Sequence, residues 1–238
     1  MAKFFFLLTI IFIIIPTGLL IWGIAYVIRK RKNTTEEEVK LTSRTKLAVL
    51  KKQLSPWLAD SFLSLSPGYI TTNSQGIKMN KRSGFFLGQD REKLIAFAMG
   101  DKAAFWVNET TYFSNSQDQY RITTEKEFVR FYKNDISLGS YTLNKGLQNE
   151  NKVPIGSFTI KFLNTNLVDD REHFHFKFNS GLEGYIVNIK NRISGSIMDY
   201  TLYSSNIFKF EKGMPDKYEE DILLCLFVLI STTSWIYS

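Results

Sequence analysis

Two histidines, His173 and His175, stand two residues apart in "HFHFKF", with Asp169, Asp170 and Glu172 just before or beside them. On an extended strand that spacing puts both rings on one face, which suits a pair of metal ligands. A structural zinc site takes four ligands, usually including cysteine or further histidine. The chain has no other histidine, and its single cysteine, Cys225, lies in an apolar run. A thiol in such surroundings is a small packed hydrophobe, because reactive thiols need accessible, electropositive sites. The pair therefore reads as the solvent edge of a strand that turns Phe174, Phe176 and Phe178 inward. No metal and no cofactor are expected. The chain contains no G-x-S-x-G, H-E-x-x-H, P-loop or Rossmann fingerprint, so no catalytic residue is assigned and the chain is not read as an enzyme. "FVRFYK" interleaves aromatic and basic residues, as a single-strand nucleic-acid groove does. In an alternating strand the same pattern is simply aromatic inward and basic outward, and no nucleic-acid partner is expected.

The basic residues that carry more meaning are Arg29, Lys30, Arg31 and Lys32. The chain has 238 residues and a formal net charge of +7. Residues 4–28, "FFFLLTIIFIIIPTGLLIWGIAYVI", contain no charge and come directly before the basic run. At ~1.5 Å per residue this stretch exceeds the ~30 Å hydrocarbon thickness of a bilayer. Pro16 and Gly18 are tolerated in a membrane helix, and Trp22 and Tyr26 suit its interfacial end. The stretch is longer than the ~7–15 apolar residues of a signal peptide, and no A-x-A cleavage pattern follows, so it reads as a retained anchor. Only Lys3 precedes it. The positive-inside rule then places the amino terminus outside and everything after Ile28 in the cytoplasm, as a single-pass protein. Arg29, Lys30, Arg31 and Lys32 are expected to contact anionic lipid headgroups, worth about 1 kcal/mol each near the surface. The sequons at Asn33 and Asn108 are then accidents of composition.

Three regions follow: residues 1–32 as anchor and basic flank, 33–56 as a juxtamembrane amphipathic helix, and 57–238 as the folded domain. In the second, Thr34 or Thr35 can cap a helix that starts on Glu36, Glu37 and Glu38. Leu47, Leu50 and Leu54 share one face, and Pro56 ends or bends the helix. This is either a spacer resting on its own domain or a short coiled coil with a second copy. From Trp57 the apolar period becomes two. "SFTIKF", "HFHFKF", "GYIVNIK", "DYTLYS", "NIFKFE", "FVRFYKN" and "GSYTLN" are candidate strands. "KLIAFAM" and "AAFWV" flank Gly100, Asp101 and Lys102, a hairpin signature. Many short strands separated by Gly, Asn, Asp and Ser predict an antiparallel barrel or sandwich.

Near the end stands "DILLCLFVLISTTSW". Its unbroken apolar run is Ile222, Leu223, Leu224, Cys225, Leu226, Phe227, Val228, Leu229 and Ile230. That is too short for a span of about 20 residues and suits a buried core helix. "PDKYEED" supplies a proline start and acidic residues for its positive end, giving a helix over about 219–235. A helix apolar on every side must be enclosed on every side. The expected fold is therefore mainly β: a closed antiparallel β-barrel around a carboxy-terminal hydrophobic helix, plus an amino-terminal transmembrane helix.

That pattern, and "DYTLYSSNIFKFEKGMPDKYEEDILLCLFVLI" in particular, resembles the tubby carboxy-terminal superfamily, which includes phospholipid scramblases and LURP-one-related proteins. The resemblance implies a closed barrel threaded by one apolar helix, and a non-enzymatic module that binds membrane lipids, anionic ones included, or a partner protein. No acidic calcium-binding loop of the scramblase kind precedes the helix, so the fold carries over without that ligand. The alternative is a structural docking subunit of a membrane assembly with a membrane-protein partner. An unrecognised hydrolase or metal enzyme is the remaining reading.

Overall fold

After Ser64 the chain runs in apolar-polar alternation, and each run becomes a strand paired with the next. The computed structural model describes residues 15–33, 36–71, 83–101, 108–125, 128–161, 171–189 and 206–232. Its strands are β1 (Leu65–Thr71), β2 (Ser83–Gly88), β3 (Lys93–Asp101), β4 (Asn108–Ser114), β5 (Gln119–Glu125) and β6 (Phe128–Lys133), followed by β7 (Ile136–Thr142), β8 (Gly146–Gln148), β9 (Pro154–Lys161), β10 (Arg171–Phe178), β11 (Glu183–Ile189) and β12 (Phe208–Lys212). They form one twelve-stranded sheet in which spatial order equals chain order. Neighbours are antiparallel throughout. Among the described residues four helices accompany the sheet: α1 (Ile15–Asn33), α2 (Glu36–Lys51), the single turn α3 (Ser61–Ser64), and α4 (Lys217–Thr232).

Alternation splits the sheet into two faces with two separate cores. The inner face carries Phe86, Phe97, Phe113, Ile122, Phe131, Phe158, Phe174 and Phe176, and these surround α4. Residues 222–230 of α4 are all buried. The helix packs against β4, β5, β6, β7 and β11. Phe227 also meets Phe86 of β2 edge-on, at 4.8 Å between centroids, and Phe208 of β12 at 6.2 Å. Contacts with strands from both ends of the sheet mean that the sheet curls round the helix. Five irregular registers, among them those at Phe86/Leu87, Phe131/Tyr132 and Glu183/Gly184, help it to bend. At Gly184 the curl brings the Lys209 carbonyl and the Phe176 ring so close that no side chain would fit.

On the outer face α2 lies across β3 and β4. Leu47 and Leu50 are buried against Phe85, Leu87, Ala96, Ala98 and Tyr112, and Leu54 packs at the margin. Ala96 and Ala98 are small, which leaves room for the helix backbone. This arrangement buries β2 along its whole length. The helix runs from Glu36 to Lys51 and stops before Pro56. Its leucine face is occupied by the chain's own sheet, as a spacer resting on its domain would have it.

Three expectations need correction or restriction. The sheet is not closed into a barrel: among the described residues no ladder joins β1 to β12. The two edges meet instead through contacts such as a hydrogen bond from the Ile207 amide to the Leu65 carbonyl (3.3 Å) and Phe62 stacked on Phe208 at 4.3 Å. Pro67 has no N–H to donate, and the β1 register shifts between Leu65 and Tyr69, so β1 behaves as an edge strand. The hairpin turn is also displaced. Gly100 and Asp101 belong to β3 and pair with Thr110 and Glu109, while "AAFWV" lies outside the described residues. The anchor is described only from Ile15, and no helix among the described residues is long and apolar enough to cross a membrane. Residues 4–14 of the apolar stretch, and "DYTLYS", lie outside the described residues.

Candidate functional site

Arg29, Lys30, Arg31 and Lys32 occupy the last part of α1. The structure describes their backbone as helical, a few residues before α2 begins.

The entry of α4 into the sheet is the most elaborated polar feature. Pro215 precedes Asp216, whose side chain accepts a hydrogen bond from the Glu219 amide (2.8 Å) while Glu219 accepts one from the Asp216 amide (3.0 Å). This is a reciprocal cap of the helix's free N–H groups. Ser180, in the turn between β10 and β11, donates a further hydrogen bond to Glu219 at 2.5 Å. One turn into the helix, Asp221 is buried at 4 % exposure. It accepts hydrogen bonds from the Tyr120 hydroxyl (2.7 Å) and the Lys133 ammonium (2.9 Å). Lys133 also contacts Asp118 at 2.9 Å, and Asn134 donates to the same carboxylate at 2.9 Å. Burial would lift the Asp118 pKa, but the hydrogen bonds and charge of Lys133 prevail and hold it below the usual range. Burial would likewise lower Lys133, and its two carboxylate partners raise it instead. Tyr120 is pushed far up by burial and by the Asp221 charge, so its proton stays in place. These groups balance one another and lock the helix; they hold neither an activated base nor a free nucleophile. Cys225 lies one turn further in, fully buried, with its thiol pKa raised by burial and by Asp221.

His175 does not stand at the solvent edge of its strand as the sequence suggests. His175 is nearly buried and its Nε2 lies 3.1 Å from Glu183 on β11. Glu211 is close enough to complete a three-residue cluster with them, their ligand atoms lying within 4.8 Å of one another. Lys212 donates to Glu183 at 3.2 Å and Lys177 approaches to 3.7 Å. The Lys212 hydrogen bond is the main reason that the Glu183 carboxyl is held low. Two ammonium groups already neutralise this carboxylate, and they oppose a divalent cation. Phe174, Phe176 and Phe178 face inward and are buried. Asp169 and Asp170 lie outside the described residues, and His173 and Glu172 are described by backbone alone.

No protein-family model, no curated protein and no solved structure matches the chain.

The sequence reading missed a constellation on the outer face beside α2. Tyr112, Arg121 and Tyr132 are direct cross-strand partners on β4, β5 and β6. The Arg121 guanidinium lies over the Tyr132 ring at 3.8 Å, and Arg44 of α2 stands 5.4 Å over Tyr112. Both arginines point to one oxygen of Asp135, at 3.2 Å from Arg44 and 3.7 Å from Arg121. Asp135 and Asn134 form the tight turn between β6 and β7, both with positive φ. The Tyr112 hydroxyl and the Arg121 Nε are buried without a hydrogen-bond partner among the described residues. Arg44, Tyr112, Arg121 and Asp135 line a narrow cleft together with Gln119, Tyr120 and Asn134. "FVRFYK" is therefore only partly aromatic-in. Val129 and Phe131 face the core, whereas Tyr132, at the alternate position, pairs with Arg121 in the regular β5–β6 ladder, and Phe128 is half-exposed. The sequence signal that was available is "ND" between two alternating runs, a two-residue turn that brings Asp135 back beside β5.

Proposed function

We propose that the chain is a single-pass membrane protein whose β domain faces the cytoplasm and acts as a non-enzymatic module binding lipids or a partner at the membrane surface. The observation that supports this most is the docking of α2. A helix beginning a few residues after Arg29, Lys30, Arg31 and Lys32 is packed onto the sheet through Leu47 and Leu50. A domain so joined to its basic flank stays near the headgroups instead of ranging on a loose tether, and headgroup contacts then come at low entropic cost. The tubby-like relationship belongs to the same proposal. What favours it is a curled antiparallel sheet with an apolar carboxy-terminal helix inside it.

Reporter fusions at the amino terminus and at Ser238 test the orientation. The proposal expects the carboxy-terminal reporter to be active in the cytoplasm, and activity only outside would overturn it. Lipid extracted with the full chain in mild detergent should be enriched in anionic species, and the enrichment should fall when Arg29, Lys30, Arg31 and Lys32 are all changed to Gln. Neutral lipid only, together with a stoichiometric membrane protein, would favour the docking-subunit reading instead.

A further inference from the structure

We infer that Arg44, Arg121 and Tyr112 form a receptor for a phosphate monoester, and that the Asp135 carboxylate fills it until the ligand displaces it. Three donors converge here from three elements: α2, β5 and β4. Two of them, the Tyr112 hydroxyl and the Arg121 Nε, are buried and have no acceptor among the described residues. Tyr112 is only 2 % exposed. A buried donor without an acceptor is costly, so such a pair is unusual unless something else satisfies it. Asp135 meets the two guanidinium groups through a single oxygen and leaves both buried donors unserved. A phosphate monoester brings three terminal oxygens and close to two negative charges. It can serve both guanidinium groups and the phenol at once, the pairing for which planar arginine forks are best suited. Tyr132 keeps the Arg121 plane in place from below.

The cleft has room for little more than a water, so the phosphate must take the place of Asp135 and not lie beside it. Asp135 can leave. Its side chain is 69 % exposed and is carried by a two-residue turn. A phosphodiester has one charge and fewer free oxygens, and competes with the carboxylate less well. The recognised group is therefore a terminal phosphate, on a soluble alcohol or on a lipid headgroup. The site does not depend on the membrane reading, and either source would fill it.

The test uses the full chain in neutral detergent and isothermal titration calorimetry. One arm adds glycerol phosphate in solution. The other adds mixed micelles carrying phosphatidic acid, with phosphatidylcholine micelles as control. Saturable binding is expected in at least one arm, and the arm that binds identifies the source. Arg44→Gln and Arg121→Gln should each weaken it roughly tenfold or more, the usual effect of removing a hydrogen bond to a charged group. Asp135→Asn should strengthen it several-fold, which a purely structural role for this turn would not produce. Binding should also weaken below about pH 6, where the second phosphate charge is lost. Arg44 is half-exposed and Asp135 is on a turn, so these two variants decide the matter even if Arg121→Gln fails to fold. No binding by either wild type or Asp135→Asn would overturn the proposal. So would binding that neither Arg44→Gln nor Asp135→Asn alters.

Discussion

Asp221 and Asp118 share Lys133, yet their environments assign them different tests. Asp221 is the buried partner, held by Tyr120 and Lys133. Asp221→Asn leaves the Lys133 charge with one carboxylate fewer, and loss of a partner from a buried pair costs about 3–5 kcal/mol. Urea unfolding should show a loss of that order, and a change under about 0.5 kcal/mol, the surface-substitution range, would mean that the network does not hold α4. Asp118 contributes to the acid limb. Its pKa is depressed in the folded chain, so its contribution is complete above the unfolded value of about 4 and fades as pH falls through that value. Lys133 works in the opposite sense: its raised pKa gives a contribution that is present below about 10.4 and is lost as pH rises further. Measured from pH 7 down to 2.5, urea midpoints should fall below pH 4 in the wild type. They should fall less steeply in Asp118→Asn, which starts from a lower plateau. The acidic start of α4 was legible from "PDKYEED" because a cap needs only neighbours in sequence. The partners of Asp221 were not, since Tyr120 and Lys133 come from two strands far earlier in the chain. Arg44 and Arg121 stayed hidden for the same reason.

The two long helices of the β domain occupy opposite faces of one sheet, and each has its own vulnerability. Leu47 and Leu50 fasten α2 to the alanine-floored patch on β3. Leu47→Ala should cost about 2–5 kcal/mol, with proteolysis within residues 36–51 as the local readout. Unchanged stability and unchanged cleavage would show that α2 is not fastened there. Leu224 is 1 % exposed on α4. Leu224→Lys puts an unpaired charge among phenylalanines and should prevent folding, leaving the expressed domain aggregated. A soluble, cooperatively unfolding variant would contradict the enclosed helix. Spacing revealed the leucine face of α2, because a helix repeats its face regardless of what covers it. The turn at Gly100–Asp101 was misread because a glycine-aspartate pair marks a turn only where the strands actually part. Here the register carries β3 through Asp101, opposite Glu109.

Seen as one molecule, the sheet is a meander with covered and uncovered stretches. β2 and β3 lie between α2 on one side and the aromatic core on the other. Hydrogen exchange should therefore be slowest in β2, β3 and α4, and faster in β6 and β7, where Phe128, Arg130, Ile136 and Ser137 are exposed. Uniform protection across the sheet would show that α2 adds no local stability. The class of the fold was readable because period-two alternation needs no knowledge of partners. Closure was not readable, since it depends on which strands become edges and on what those edges can donate. Pro67 and the shifted register beside it give β1 a poor edge for pairing.

Burial of the single thiol has a practical corollary. Cys225 is the chain's one cysteine, at 0 % exposure and with its thiolate suppressed. A thiol-specific dye can reach it only when α4 leaves the sheet or the whole sheet opens. Labelling rates over a range of dye concentrations thus separate the frequency of opening from its equilibrium population. The wild-type chain, with no engineered probe, can report how often its own centre is laid bare.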